Sequence, residues 1–340
     1  MQTDSNKARK HPRIGVVVLN WNGRDDTLEC LKSVFDIEYP NFETILVDNG
    51  SQDGSVAAIR SKYPELRIIE THANLGFAGG NNVGITDAIG RGAVCIFLLN
   101  NDAVVAPDIL DVLVQAAENH PNAGAFSGKI YCYGDPKRIW CAGALWKDGE
   151  ANFVYPGAGQ LDDGISFEGV VETDYASGCA MFIHADLVRE VGLLDPLFFL
   201  TFEETDWCYR LRRRGFGCLV IPQAKIWHKG SASFGSDDSP LYLYFYTRNR
   251  LLWAERHLGL WGCLRVWRRT TRDMFSWWPS PLSGTTSKRS YWSLLSWSRR
   301  LGRQWGNPGF RAVRMGVHDY LLRRFGDCPL VIRELNRAKG

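Results

Sequence analysis

Short apolar segments alternate with segments of helical periodicity through the first 120 residues of the chain. The apolar segments are RIGVVVLN (13–20), FETILVDNG (42–50), LRIIE (66–70) and AVCIFLL (93–99). Between them apolar residues recur at helical spacing, as Leu28, Leu31 and Phe35 do. Because continuous apolar runs are typical of strands buried on both faces, this alternation predicts βαβ units and an α/β fold with a mostly parallel central sheet flanked by helices.

Polar side chains follow the predicted strands directly. Asn20 ends the first strand, Asp48 ends the second, and Asn100, Asn101 and Asp102 follow the fourth. Open α/β sheets bind ligands at the carboxyl ends of their strands, so these residues are candidates for one binding site. Asn and Asp also form ordinary turns, and the residues alone leave both interpretations open.

A glycine-rich segment, NLGFAGGNNVG (74–84), follows the third predicted strand. We expect a loop whose backbone amides approach an anionic or sugar ligand, followed by a helix. The spacing of its glycines differs from the dinucleotide pattern G-x-G-x-x-G, and the segment lacks the lysine of a phosphate-binding P-loop. The segment therefore favours neither a dehydrogenase nor a P-loop ATPase.

Length and composition are typical of a globular protein. The chain has 340 residues, of which 45% are apolar, so it can bury a sizeable core. Residues 1–12 are basic but no apolar run follows them, which predicts a mobile arm instead of a signal peptide. No segment is long and apolar enough to predict a spanning helix. The nine cysteines are scattered without a CxxC pair, as is typical of reduced thiols in a cytosolic protein.

Charge is distributed unevenly along the chain. Residues 251–340 contain 17 Lys and Arg against five Asp and Glu, a net charge of +12, whereas residues 1–250 contain 23 against 32, a net charge of −9. Eight of the 13 tryptophans lie in the same basic segment. Interleaved Arg and Trp favour a surface that lies on anionic lipid headgroups. Packing against the rest of the chain is the alternative, and nucleic acid is a rival partner that we do not expect.

Seven motifs occur in a fixed order, namely VVVLNWNG, VDNGSQDGS, NLGFAGGNN, LLNND, SGCAMFIHADL, LTFEETDWCYRL and WHKGSAS. Together they resemble the inverting family 2 glycosyltransferases of GT-A fold, most of all the bacterial rhamnosyltransferase-like branch. The resemblance covers roughly residues 13–250 and includes the later segment YFYTRNRLL (244–252). It implies a GT-A catalytic domain over 13–250, which leaves 251–340 as a mainly helical extension.

This resemblance implies a reaction and its partners. A rhamnose-like sugar or another hexose would pass from a nucleotide-diphosphate donor to a glycan or lipid-linked acceptor, with inversion and with help from Mg²⁺ or Mn²⁺. The process would be bacterial surface glycan biosynthesis. The expected location is the cytoplasm, peripheral on the cytoplasmic face of the inner membrane.

The resemblance also implies roles for the strand-end residues. NND occupies the place of the family's D-x-D motif, so Asp102 would ligate the metal through oxygen. Asn100 replaces the first acid and would bind a ribose hydroxyl or a metal-bound water. The positions matched to the donor site are Asn20, Asp48, Gly79, Asn81, Asn82, Asn100 and Asn101.

A general base is expected in FEETDWCYRL, which carries Glu203, Glu204 and Asp206 near the start of a predicted helix. Acids at a helix start also stabilise the helix dipole, so a structural role is the alternative. The family pattern Glu-Asp-x-Asp places the base at its second acid. Glu204 is therefore the expected base and Glu203 is the second candidate.

The motif WHKGSAS supplies the last candidates. His228 matches a histidine that the family places close to the diphosphate and the metal. Lys229, Ser231 and Ser233 are candidates for phosphate contact, with a plain basic turn as the alternative. Arg248 and Asn249 are matched in the family without an assigned role.

Two other classes of function stay open. A sugar-nucleotidyltransferase would use a similar sheet but should carry a glycine-rich loop with Lys or Arg directly after the first strand, which LNWNGRD does not provide. A non-catalytic scaffold that binds membrane or nucleic acid is favoured only by the basic, tryptophan-rich segment. Release of a nucleoside diphosphate would distinguish a glycosyltransferase from both.

Overall fold

The structure is a computed structural model that describes residues 11–147, 151–230, 239–276 and 306–337. In chain order its strands are β1 (Ile14–Asn20), β2 (Phe42–Asp48), β3 (Arg67–Glu70), β4 (Cys95–Asn100), β5 (Ala103–Val105), β6 (Ala123–Cys132), β7 (Asp135–Cys141), β8 (Leu145–Lys147), β9 (Asn152–Val154), β10 (Val171–Thr173), β11 (Ala180–His184) and β12 (Gly217–His228). Its helices are α1 (Arg24–Phe35), α2 (Ser55–Lys62), α3 (Gly76–Gly90), α4 (Ile109–Asn119), α5 (Ala185–Val191), α6 (Glu203–Arg212), α7 (Pro240–His257), α8 (Leu260–Ser276), α9 (Pro308–Leu321) and α10 (Leu330–Arg337). Most of the expected arm over residues 1–12 lies outside the described residues.

The four strands predicted from apolar runs form one half of the main sheet. Its order is β10-β12-β6-β11-β4-β1-β2-β3, and β1, β2, β3 and β4 are parallel to their neighbours in this half. The register places Asn20 opposite Asp48 and Leu19 opposite Asn100. The strand-end residues of the sequence therefore meet at one edge, as the α/β prediction requires.

The other half of the sheet is mixed. Strand β11 runs antiparallel to both β4 and β6, whereas β12 is parallel to β6. Short β5, which follows β4 after two residues, pairs antiparallel with the end of β12 and sets Ala103 opposite His228. This pairing brings two segments of the chain that are 126 residues apart in sequence to the same edge of the sheet.

The glycine-rich segment is helical, so the loop expected over 74–84 is wrong for the residues from Gly76 onwards. A β-carbon on Gly80 would lie 2.4 Å from Leu19 Cδ1, and one on Gly84 would lie 2.3 Å from Val17 Cγ1. These glycines let α3 approach β1 more closely than any larger residue would. Their main contribution is thus helix–sheet packing.

The described residues divide into two compact units. The first contains residues 11–145, 154–195 and 204–230, with the main sheet in it. The second contains the described parts of 146–153, 196–203 and 239–337 and is largely helical. The nine cysteines all lie in the described parts of the chain, where none forms a disulfide.

Helix α7 organises the second unit. It begins at Pro240 after Ser239, whose hydroxyl accepts a hydrogen bond from the Tyr242 amide at 3.2 Å, and it continues across residue 250. The domain boundary expected at that residue falls inside a helix because nothing in TRNRLLWAERH breaks helical periodicity. Side chains of α7, α9 and α10 share an apolar cluster that includes Tyr244, Ala312 and Ile332.

The tryptophans of the basic segment differ in environment. Trp253 is buried against the ring of Trp146, and Trp267 packs edge-on against Tyr320. Trp261 on α8 is 77% exposed. The other five lie outside the described residues. In the described part of the chain, no helix has the length and apolar character needed to span a bilayer.

Candidate active site

A hydrogen-bond network joins the ends of β1, β2 and β4, with Asn20 at its centre. The Asn20 amide, which is fully buried, donates to Asp48 Oδ1 at 2.8 Å and to Ser51 Oγ at 3.0 Å. Its carbonyl oxygen accepts from Thr27 Oγ1 at 2.8 Å and from Asn101 Nδ2 at 3.3 Å. Both polar atoms of the Asn20 side chain therefore form two or more hydrogen bonds, and they hold the neighbouring loops in place.

Asp48 also shapes the loop that follows β2. Its second carboxylate oxygen accepts from the Ser51 amide at 3.0 Å, and its side chain is almost completely buried. The bond to the amide three residues on closes a tight turn, a structural role that Asp commonly has in loops. The same carboxylate keeps unused lone pairs at the carboxyl edge, which is where acidic residues of nucleotide sites accept from ribose or base.

Asp102 and His228 form a buried pair next to this network. Asp102 Oδ1 lies 3.0 Å from His228 Nε2, and the two residues are 7% and 6% exposed. The Lys229 amide donates to the Asp102 carbonyl at 3.0 Å, which extends the β5–β12 pairing by one bond. Burial by itself lowers the pKa of His228, but the neighbouring Cys179 and the Asp102 carboxylate raise it to about 11. The sheet register thus creates an oxygen–nitrogen pair that a proton or a cation can share.

The pair fits a divalent cation that is also held by a substrate. Mg²⁺ and related ions commonly use one or two protein ligands together with substrate phosphates and water. Within the residues that the structure describes, no group of three or more His, Cys, Asp and Glu side chains is arranged to hold a metal. Asp102 and His228 offer two protein ligands of this kind.

Lys229 is occupied by two carboxylates. Its ammonium group lies 2.6 Å from Asp26 Oδ1 and 2.6 Å from Glu29 Oε2. Burial of the group lowers its pKa, but the two carboxylates outweigh this effect and raise it. The phosphate contact expected of Lys229 thus has two intramolecular competitors. Ser231 and Ser233 lie outside the described residues.

Glu204 lies in the first turn of α6 and is partly exposed as a whole residue. Its Oε2 atom is buried and has no hydrogen-bond partner within the described residues. The other carboxylate oxygen approaches Gly178, where a β-carbon would lie 3.4 Å from it. Burial raises the pKa of Glu204, and the backbone amides of Glu204, Thr205 and Gly178 only partly offset this effect. A carboxylate in such surroundings is a stronger proton acceptor than one in water.

The other two acids of this motif have different environments. Asp206 Oδ2 accepts from Arg210 Nε at 2.8 Å, and Arg210 in turn donates to the carbonyls of Val191 and Leu193. Asp206 is therefore a structural residue that anchors α6 to the segment before it. Glu203 is buried at the first position of the helix.

Three residues matched to the donor site lie within α3. Asn82 donates to the Leu194 carbonyl at 2.7 Å and accepts from the Leu194 amide at 3.0 Å. Asn81 donates to the Phe77 carbonyl at 3.0 Å, and Gly79 packs over Leu75. Both amides have intramolecular partners, which indicates a supporting role for this turn of α3.

Some neighbours of the site were not identified from the sequence. Trp140 on β7 is 39% exposed and packs edge-on against His228, with ring centroids 4.8 Å apart. Thr27 and Ser51 hold Asn20 and Asn101 in place. Ser51 belongs to the motif VDNGSQDGS and could have been singled out there. No single-sequence signal marks Trp140, because β7 reaches His228 only through the pairing of β6 with its neighbours.

Comparison with characterised proteins agrees with this architecture. The chain is 24% identical to N-acetylglucosaminyl-diphospho-decaprenol L-rhamnosyltransferase of Mycobacterium tuberculosis (strain H37Rv), over 76% of this chain and 86% of that protein. It is 22% identical to dTDP-rhamnosyl transferase RfbF of Shigella flexneri, over 73% of this chain and 82% of that protein.

Solved structures have the same fold. A mannosyltransferase of Pyrobaculum calidifontis in complex with GDP-Man and Mn²⁺ superposes with a TM-score of 0.51 at 15% identity, covering 93% of this chain and 84% of that one. GalNAc-T7 with UDP, GalNAc and Mn²⁺ superposes with a TM-score of 0.55 at 16% identity, covering 80% of this chain and 59% of that one. These likenesses confirm the GT-A-like fold that the sequence predicted. Residues 15–187 match the model of Glycosyl transferase family 2, and the chain belongs to that family, in its rhamnosyltransferase-like branch.

Proposed function

We propose that the protein transfers rhamnose, or a closely related hexose, from a nucleotide-diphosphate sugar to a lipid-linked glycan acceptor with inversion of the anomeric carbon. The observation that carries this proposal is the buried Asp102–His228 pair beside the Asn20–Asp48 network, at the carboxyl edge of the sheet. The names of two relatives support the substrates, because one contains dTDP-rhamnose and the other a diphospho-decaprenol acceptor.

The donor would lie along the ends of β1, β2 and β4. In this proposal Asp48 accepts from the base or ribose, and the Asn100 amide forms a hydrogen bond with a ribose hydroxyl or accepts one from a metal-bound water. Asn20 and Asn101 keep the surrounding loops in place through their mutual hydrogen bonds. Gly79, Asn81 and Asn82 support the site as part of α3.

Asp102 and His228 would hold Mn²⁺ or Mg²⁺ together with the donor diphosphate. When bound, the ion would neutralise charge that develops on the leaving diphosphate. An imidazole ligand suits Mn²⁺ better than Mg²⁺, which prefers oxygen, so we expect Mn²⁺ to support the higher activity. The two solved structures of the same fold were both determined with Mn²⁺, which supports this choice of ion.

Glu204 would act as the general base. The acceptor hydroxyl gives its proton to the Glu204 carboxylate while its oxygen forms a bond to the anomeric carbon. On the opposite face of the sugar, the bond from that carbon to the diphosphate oxygen breaks, and this single displacement inverts the configuration. The raised pKa of Glu204 favours the proton transfer, and Glu203 is the second candidate.

A lipid-linked acceptor would require the enzyme to work at a membrane surface. The exposed face of α8 carries Leu260, Trp261 and Leu264 beside Arg265 and Arg268. Apolar and cationic side chains on one helix face suit the boundary between headgroups and acyl chains. We propose peripheral binding to an anionic membrane, on the cytoplasmic face where nucleotide sugars are made.

The test is release of nucleoside diphosphate from dTDP-rhamnose in the presence of N-acetylglucosaminyl-diphospho-polyprenol, with Mn²⁺ or with EDTA. We expect release of dTDP together with a rhamnosylated lipid of inverted anomeric configuration, and loss of both products in EDTA. A panel of other nucleotide sugars, ranked by the thermal shift that each donor produces, tests the choice of sugar. Formation of dTTP and rhamnose 1-phosphate from dTDP-rhamnose and added pyrophosphate, in place of dTDP, would indicate a nucleotidyltransferase. Absence of turnover with every donor would contradict the proposal.

A further inference from the structure

The segment before the candidate base has an uncommon backbone conformation. Phe199, Thr201 and Phe202 have positive φ angles of 63°, 69° and 72°. Bulky and β-branched residues adopt this left-handed region rarely, because the β-carbon crowds the backbone. Residues 198–202, which we term the entry loop, run directly into Glu203 and Glu204 at the start of α6.

One buried amide holds three carbonyl groups of the entry loop. Asn249 Nδ2 lies 2.7 Å from the Phe198 oxygen, 2.8 Å from the Leu200 oxygen and 2.9 Å from the Thr201 oxygen. Asn249 is completely buried in α7, so these bonds do not compete with water. The carbonyls of an extended segment could not converge on one nitrogen, and the left-handed residues are what allow it.

Arg248 fixes the orientation of that amide. Arg248 Nε donates to Asn249 Oδ1 at 3.0 Å, which leaves the Asn249 NH₂ group to face the entry loop. The guanidinium also donates to the carbonyls of Phe198 at 3.2 Å and Gly326 at 2.7 Å. It is completely buried and lies 4.9 Å from the ring centroid of Phe245. These contacts hold the Arg248 side chain in place independently of its bond to Asn249.

We propose that Asn249, oriented by Arg248, is a positioning residue for the general base. It acts through the entry loop, whose strained backbone sets where α6 begins and how the carboxylate of Glu204 points. Strained backbone persists where the surroundings enforce it, and it is concentrated at functional sites. This inference rests on the proposed function, because it assigns the pair a role in the proton transfer to Glu204.

A purely structural role would have a different signature. If Asn249 only stabilised the second unit, its loss would lower thermal stability and reduce the amount of folded enzyme, but each folded molecule would keep its kcat. If Asn249 positions the base, kcat falls while donor binding, which depends on other residues, is preserved. The ratio of kcat to donor affinity therefore separates the two roles.

The experiment compares Asn249→Ala, Asn249→Asp and Arg248→Lys in the full chain. Asn249→Ala removes the donor, Asn249→Asp replaces it by an acceptor that repels the three carbonyls, and Arg248→Lys keeps the charge but loses the bond that orients the amide. The matched control is Asn307→Ala, which removes the N-cap of α9, where Asn307 Oδ1 accepts from the Phe310 amide at 3.1 Å. Kinetics use dTDP-rhamnose with Mn²⁺, affinity is measured by titration with dTDP and Mn²⁺, and melting temperature is recorded for each variant.

We expect kcat to fall about 100-fold in both Asn249 variants and less in Arg248→Lys, with unchanged affinity for dTDP. Asn307→Ala should lose stability but keep kcat. A folded Asn249→Ala enzyme with wild-type kcat would overturn the proposal. So would unfolding of both Asn249 variants combined with wild-type kcat in Arg248→Lys. A wild-type enzyme that turns over no nucleotide sugar would instead contradict the proposed function.

Discussion

At the scale of single residues, the two candidate carboxylates have opposite environments. Asp102 is paired with His228 at 3.0 Å at the edge of the sheet, an arrangement of oxygen and nitrogen that suits a cation ligand. Glu204 has a buried oxygen without a partner in the described chain, and burial raises its pKa, which suits proton transfer. Two carboxylates with such different surroundings can serve different steps of one reaction.

Replacing Asp102 tests the cation site. In Asp102→Asn the side chain keeps its shape and an acceptor for His228 but loses its charge, so Mn²⁺-linked binding of dTDP should weaken by about 10–100-fold without loss of the fold. Calorimetric titration with Mn²⁺ and dTDP measures the effect, and the exposed Asp108→Asn is the control. Equal Mn²⁺-linked affinity in Asp102→Asn and the wild type would remove Asp102 from the site.

Replacing Glu204 tests the base. Glu204→Gln should reduce kcat by about 10²–10⁴-fold, the usual contribution of a general base, and should leave dTDP affinity unchanged. Glu203→Gln is the matched comparison, since it changes the adjacent acid in the same way. If Glu203→Gln is the more damaging of the two, the base assignment moves to Glu203.

Glu204 also links stability to pH. Because its pKa is raised in the folded state, the stability that it contributes is complete below its unfolded pKa of about 4.3 and is lost as pH rises through the folded pKa. Gln is neutral throughout, so Glu204→Gln should melt at a higher temperature than the wild type at pH 7, and the difference should shrink toward pH 4.5. Melting curves of both proteins between pH 4.5 and pH 7 measure this difference. A lower melting temperature of Glu204→Gln at pH 7 would contradict the argument that burial raises the pKa of Glu204.

At the scale of elements, helix α3 is positioned by its small residues. A β-carbon on Gly80 or Gly84 would clash with the side chain of Leu19 or Val17, so α3 packs directly onto these two side chains. In this position of α3, the Asn82 side chain lies within hydrogen-bonding distance of the Leu194 backbone. Packing of α3 and geometry of the adjacent strand ends are therefore coupled.

Replacing two glycines of α3 by alanine should change the stability of the fold in opposite directions. Gly84→Ala places a β-carbon 2.3 Å from Val17 Cγ1 and should destabilise the fold by about 1–3 kcal/mol through overpacking. Gly90→Ala meets no atom within 4 Å and should stabilise it by about 0.4–1 kcal/mol, because it restricts the unfolded chain. Chemical denaturation measures both, and a neutral Gly84→Ala would mean that α3 can shift away from β1.

At the scale of the whole molecule, the uneven charge predicts where the enzyme works. The basic segment has a net charge of +12, and each Lys or Arg near an anionic surface contributes about 1 kcal/mol to binding. Truncation at residue 250 would cut α7 and remove the partners of its apolar cluster, so point substitutions on α8 are the better test.

The full chain should float with phosphatidylglycerol vesicles at low salt and be released at high salt. The double variant Trp261→Ser and Leu264→Ser should bind more weakly, as should Arg265→Glu with Arg268→Glu. Ile165→Ser is the control, because Ile165 is 81% exposed in the first unit and lies outside the basic segment. Flotation of all variants like the wild type would assign membrane binding to another surface or exclude it.

The sequence by itself determined the parallel half of the sheet, its strand-end polar residues and the family. Continuous apolar runs report burial on both faces, and strand ends of parallel strands share an edge whatever the rest of the chain does. For that reason Asn20, Asp48 and Asn100 could be grouped before their contacts were known. The ordered motifs added the expected roles of Asp102, Glu204 and His228, which the proposed function keeps.

Only the tertiary structure decided which polar groups are already engaged and which backbone is strained. Asn82 forms a hydrogen bond with Leu194, which is 112 positions away in the sequence. Lys229 binds Asp26, which is 203 positions away, and Asn249 binds the entry loop, which is about 50 positions away. The glycines of α3 were expected in a loop because local sequence cannot report the distance to β1. Each of these features depends on contacts between segments that are remote in sequence, and packing brings such segments together without leaving a periodic pattern in either one.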